Sequence, residues 1–195
     1  MNRRLVSILR MLGMLALAAP MALAQTSTWV PDKAHSGVDF SILHMSLSKV
    51  RGHFGNIGGA ITWNDADITK STVNVTIDVT TLSTGVTQRD NDVKSAKFFD
   101  AAQFPTATFV STSVSKSGSG LTVAGNLTLH GVTKPVVLQV DGPTGPVNGM
   151  DKKPHSGFSA TTNIKRTDFG IATGFPTTVV GDDVALTIDL DVAKQ

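Results

Sequence analysis

The chain has 195 residues, with 17 Lys+Arg against 15 Asp+Glu and no Cys, so it holds together without disulfides and has no thiol chemistry. Its formal charge of +2 rests on Arg3, Arg4 and Arg10; without them 14 basic residues face 15 acidic ones, all of them Asp. That balance leaves no basic stripe for nucleic acid and excludes a protein held on a membrane by its overall charge.

The three arginines precede an apolar run from Met11 to Ala19, then Pro20 and Ala22-Leu23-Ala24. This is the layout of a secretory leader with a small-residue cleavage site; the run is shorter than the roughly 20 apolar residues that cross a bilayer. Cleavage after Ala24 is expected. It leaves residues 25–195 as one domain, long enough to bury a sizeable core, with no transmembrane segment and the periplasm as its destination. No Cys stands at the cleavage site to carry a lipid anchor.

The mature part is dominated by period-2 alternation, which puts apolar side chains on one face of a strand. Val38, Phe40 and Ile42 alternate with Asp39 and Ser41. Around residues 50–64 the apolar phase slips between Phe54 and Ile61, which predicts a bulge at Gly58-Gly59. Val73, Val75, Ile77 and Val79 form the next run. From Asp90 to Asp100 the period changes: Val93, Ala96 and Phe99 have helical spacing, Asp90 reads as an N-cap and Pro105 follows. Leu121, Val123, Leu127 and Leu129, preceded by a hairpin tip at Ser117–Gly120, return to alternation. Val136, Leu138 and Val140 lead to Gly142-Pro143-Thr144-Gly145-Pro146, which reads as a turn. Phe158, Ala160, Thr162 and Ile164 make a weaker set. After a second predicted turn at Gly181-Asp182-Asp183, Val184, Leu186, Ile188, Leu190 and Val192 make the last run. About eight strands and one short helix near residues 90–100 result. A sandwich and a barrel both satisfy the pattern; a barrel leaves no edge strands.

For catalysis, the chain lacks a G-x-S-x-G elbow, an H-E-x-x-H pair, a P-loop and a dinucleotide fingerprint. His35, His44, His53, His130 and His155 lack metal-site spacing; they read as surface or strand-end histidines, and neither a metal nor a cofactor is expected. Arg166 and Asp168, two apart near a strand end, read as a local ion pair or as part of a polar collar. Arg89-Asp90 reads in the same two ways. Nine Phe and no Tyr describe an interior with few hydrogen-bonding demands, whether filled by side chains or holding one ligand.

These residues also carry a resemblance. Asp32-Lys33-Ala34-His35-Ser36 with Phe40 and His44, then Val50-Arg51-Gly52-His53-Phe54, open the match. Thr84, Arg89-Asp90, Phe98-Phe99-Asp100 and Phe104-Pro105 continue it. Gly125-Asn126-Leu127-Thr128-Leu129-His130-Gly131-Val132-Thr133-Lys134-Pro135 is its most recognisable stretch, and Arg166-Thr167-Asp168-Phe169-Gly170 with Val180-Gly181-Asp182 close it. Collinear over nearly the whole mature chain, they resemble the YceI-like polyisoprenoid-binding family. Phe104 departs from the tyrosine common there. The resemblance implies an eight-stranded antiparallel lipocalin-like barrel, a long-chain isoprenoid or other amphiphilic lipid threaded through an apolar tunnel, periplasmic residence and no set enzymatic activity. The expected tunnel wall is Phe40, Ile42, Val75, Ile77, Phe109, Leu127, Leu129, Phe158, Leu186 and Ile188, with His44, Arg51, Arg89 and Arg166 at its mouth. A homodimer is compatible with this reading. So are two alternatives: a hydrolase acting on a lipid in the same cavity, with a Ser or Thr hydroxyl near a histidine, and a solid-core structural module.

Overall fold

The structure, a computed structural model, describes residues 25–195; the expected leader lies outside them. Ten antiparallel strands follow: β1 (Thr26–Pro31), β2 (Gly37–His44), β3 (Ser48–Phe54), β4 (Ile57–Asn64), β5 (Thr72–Asp78), β6 (Thr106–Ser117), β7 (Gly120–Leu129), β8 (Val132–Asn148), β9 (Pro154–Lys165) and β10 (Val180–Lys194). Each strand pairs with the next from β4 to β10, and β1 closes the ring by pairing with both β4 and β10.

The count of eight is recovered because β1 and β2 are two parts of one strand. Both run antiparallel to β10: Pro31 opposes Val192 and Gly37 opposes Asp189. The five residues between them bulge outward as a turn in which Asp32 accepts from the Ala34 N–H at 2.8 Å. β3 and β4 likewise form one interrupted strand, and the apolar phase shifts at its interruption. Phe54 and Ile57 are both buried, three residues apart, because Asn56 takes φ 53° between them. The predicted irregularity is therefore at Gly55-Asn56; Gly58 and Gly59 pair regularly with β5.

Two predicted turns are bulges inside long strands. β8 runs through Gly142–Pro146 with register shifts on either side of Thr144, and the chain reverses only at Gly149–Lys153. β10 absorbs Gly181–Asp183 as a register shift between Val180 and Val184. Glycine and proline thus bend these strands without ending them. The hairpin tip at Ser117–Gly120 forms as read, with Ser117 opposing Gly120.

The helix, α1 (Thr87–Lys94), begins earlier than its sequence pattern indicates, with Val86 at the N-cap position. Asp90 lies in its first turn and accepts from the Thr84 N–H at 2.7 Å, so its carboxylate ties down the preceding loop instead of capping the helix. Residues 95–103 are turns, which bring Phe98 and Phe99 against the core. With the 130–131 and 166–179 loops and the β2–β3 tip, α1 covers one end of the barrel. The β6–β7 and β8–β9 turns and the 3₁₀ turn Ile68–Lys70 lie at the other.

Candidate functional site

The inward positions do not fill the barrel. On β10, Val184, Leu186, Ile188 and Leu190 alternate with exposed residues yet are only half-buried, while Val192 beyond them is fully buried. The accessible side of the first four faces an internal hollow. Its far part, bounded by Trp63, Ile68, Val123, Val140 and Phe158, has a volume of about 130 Å³. Its near part, under α1 and bounded by Phe40, Ile42, Val50, Phe98 and Phe99, has about the same. Each is roughly ten times the ~10–15 Å³ that one water requires. Val38, Ile77, Leu127 and Leu186 border both, so the two parts adjoin across the middle of the barrel. From Val184 to Leu190 they follow β10 for roughly 20 Å at the usual strand rise.

The surface exposed to the hollow is wholly apolar at both ends. Three hydroxyl-bearing residues border it, and each hydroxyl has a partner in the protein: Ser71 accepts from the Asn64 N–H at 3.1 Å, Thr162 donates to the Val137 carbonyl at 2.9 Å, and Thr84 donates to Asp90. Two glycines on inward positions widen the room for rings. A side chain at Gly52 would collide with the Phe40 ring, and one at Gly125 with the Phe109 ring. Phe40 and Phe109 therefore lie flat across the neighbouring strands.

All ten residues expected on the tunnel wall border the hollow. Sequence reading missed the wall contributed from outside the regular strands or past an interruption: Ile57, Trp63, Ile68 and Ile171. Ile57, Ile61 and Trp63 do keep a period of two, and that signal was available once the phase break is set at Asn56.

The four mouth candidates separate. Arg166 borders the near part of the hollow and is 3% exposed. It lies in a 3₁₀ turn, Arg166–Phe169, so the i, i+2 rule for strands does not apply and no ion pair with Asp168 forms. Its guanidinium donates instead to five carbonyls, those of Gly181, Ile171, Ala172, Phe175 and Val180, at 2.7–3.0 Å. A buried cation with every N–H satisfied organises the 166–181 loop over the barrel end. Arg89 donates to the Thr84 hydroxyl at 2.7 Å and to the Thr84 carbonyl at 2.9 Å, while Asp90 accepts from Thr84, whose hydroxyl holds the Asp90 carboxyl below its ordinary range. Arg51 is on an outward position of β3, opposite Ser41, and His44 ends β2; neither borders the hollow.

No histidine borders the hollow among the described residues. His130 caps the Phe169 carbonyl at 3.1 Å and His53 pairs with Asp39 at 2.9 Å. His155 bridges Asp191 at 2.6 Å and Asp151 at 3.2 Å on the outside of the barrel; the hydrogen bond to Asp191 raises its pKa. Asp32, His35 and Asp191 form the one cluster among the described residues with metal-ligating geometry, their ligand atoms lying within 4.8 Å of one another. It is on the outer surface, and His35 is already paired with Asp32.

A closed, lipocalin-like β-barrel around an elongated apolar hollow defines a class of small binding proteins. The chain belongs to the YceI family, matching the YceI-like domain over residues 29–192. A UPF0312 protein of Yersinia pestis is 37% identical over 166 residues, covering 83% of this chain and 84% of that protein. One from Vibrio parahaemolyticus is 36% identical over 160 residues, 80% and 84% respectively. Among solved structures, BcnA of Burkholderia cenocepacia superposes with a TM-score of 0.71 at 26% identity, over 83% of this chain and 98% of that one. The YceI protein of Campylobacter jejuni gives 0.68 at 31% identity, over 78% and 90%. A polyisoprenoid binding domain from Saccharophagus degradans shares the fold, with a TM-score of 0.61 at 16% identity, over 88% and all of its length.

Proposed function

We propose that this protein binds a long-chain isoprenoid or a similar amphiphilic lipid inside the barrel and acts in the periplasm as a carrier or store rather than as an enzyme. The two adjoining apolar hollows, with no polar surface in either, are the observation that carries this reading. Each CH₂ moved from water into such a space is worth about 0.8 kcal/mol, so ten give roughly 8 kcal/mol before the costs of association and chain ordering. A wall that offers no hydrogen bonds would select by length and girth, and any head-group preference would arise at the barrel end. Of the four mouth candidates, Arg166 has every donor committed to the protein and Arg89 directs two of its five at Thr84. All four lie at the end covered by α1 and the β2–β3 tip, and the head group is assigned to that end.

Membership of a binding-domain family and the polyisoprenoid-binding neighbour support the ligand class. Native mass spectrometry of protein purified without detergent tests it. A co-purifying lipid, or stoichiometric uptake of an added prenyl lipid, is expected; neither appearing would refute the proposal.

A further inference from the structure

The β2–β3 hairpin carries exposed apolar side chains at its tip. Leu47 is 83% exposed, Met45 53% and Leu43 44%, with Val179 beside them at 38%. They form one patch: the Met45 N–H donates to the Val179 carbonyl at 2.8 Å and the Ser46 hydroxyl to the Thr178 carbonyl at 3.4 Å, while Leu43 lies across Gly181. Isolated exposed apolar residues are ordinary, but a contiguous set at a turn tip marks an interaction surface.

Backbone geometry marks the same place. Met45 and Ser46 both have positive φ, 51° and 56°, and the Leu47 N–H closes the turn on the His44 carbonyl at 3.0 Å. A turn with two left-handed central residues ordinarily takes Asn-Gly or a similar pair. Here a large apolar residue occupies a strained position and points outward, which is a signature of function more than of packing.

Charge decides what the patch would meet. No acidic residue occurs between Asp39 and Asp65, while Lys49 and Arg51 fall on outward positions of β3; Lys49 opposes Leu43 directly. On the adjacent strand Asp182 and Asp183 share the one cation Lys165 at 3.6 and 3.2 Å, which leaves a single negative charge there against the two cations of β3. A chain of near-zero net charge thus concentrates cations behind an apolar tip, the arrangement that suits an anionic bilayer interface. The hairpin is also continuous with the cavity. Ile42, Val50, Val180 and Val184, adjoining the tip, border its near part. Beyond the tip, β3 is hydrogen-bonded on one side only, to β2, apart from a single bridge between His53 and Ser83.

We propose that the β2–β3 tip docks on anionic lipid bilayers and that a lipid passes between bilayer and hollow past the free edge of β3. This rests on the lipid-binding reading for its purpose but not for its docking step. Flotation of the purified protein with phosphatidylcholine vesicles, with and without about one third phosphatidylglycerol, tests it. Association with the anionic vesicles is expected, weakening as salt is added. Met45→Asp with Leu47→Asp should lower it at least tenfold, and Lys49→Gln with Arg51→Gln by roughly fivefold per cation at low salt. The tip variant should keep wild-type thermal unfolding and bind a fluorescent prenyl lipid delivered from ethanol as the wild type does, while extracting it from vesicles more slowly. Failure of the wild type to bind lipid from ethanol would defeat the lipid-binding reading and leave docking to stand on flotation. Wild-type protein that ignores anionic vesicles at low salt, or a tip variant that floats unchanged, overturns the docking proposal. So does a wild-type dimer in sedimentation velocity that the tip variant loses with no vesicle association, because the patch is then a contact between copies.

Discussion

The two ends of the hollow are built by different physics. The far half, between β5 and β10, is walled by regular alternation: Val75, Val140, Ala160 and Ile188 each stand between two polar, outward-facing neighbours on their strands. The near half is roofed by segments with no period at all. Phe98 and Phe99 come from turns after α1, Ile171 from a loop, and all are held in place by polar groups. Arg166 gathers five carbonyls, and the Arg89–Thr84–Asp90 set anchors the helix start. An apolar container thus needs a polar frame wherever the backbone leaves the sheet, because irregular backbone cannot satisfy its own carbonyls.

That contrast can be broken most severely at Arg166. Arg166→Met leaves five carbonyls without their donor, and a loss of about 3–5 kcal/mol is expected in denaturant unfolding. Arg166→Lys, with three donors on a flexible stem, should recover only part of it. Filling either half comes next. Val140→Trp in the far part and Val184→Trp in the near part enter existing space, so each should cost less than the ~1–3 kcal/mol of overpacking a filled core. Both should cut uptake of a long prenyl lipid at least tenfold in native mass spectrometry, and a short-chain lipid should still enter the half left open.

A smaller effect is expected outside the hollow, at His155. Its raised pKa means that its pairing with Asp191 and Asp151 contributes in full below the ordinary value of 6.5 and is lost as pH rises through the raised value. Thermal unfolding followed from about pH 6 to about pH 9 should show a decline that His155→Ala lacks. The smallest effect belongs to Asp90, whose lowered pKa has the opposite sign. Its contribution is present above 3.8 and is lost as pH falls through the lower folded value. Asp90→Asn should flatten that acid limb with little change near neutrality.

The sequence by itself determined the strand faces and therefore the wall. Alternation is a local property, and once one face of a strand is buried its register cannot slip by one residue without exposing the whole apolar set; Phe40, Val75, Leu127 and Ile188 were legible for that reason. Tertiary structure alone decided where the sheet bends and what roofs it. Gly142–Pro146 and Gly181–Asp183 look the same as turns until a neighbouring strand pairs across them. Arg166 looks like an ion-pair partner of Asp168 until a loop up to fifteen residues further along the chain supplies five carbonyls. Whether the inward side chains meet in the middle is set by the barrel's circumference, which no single strand encodes.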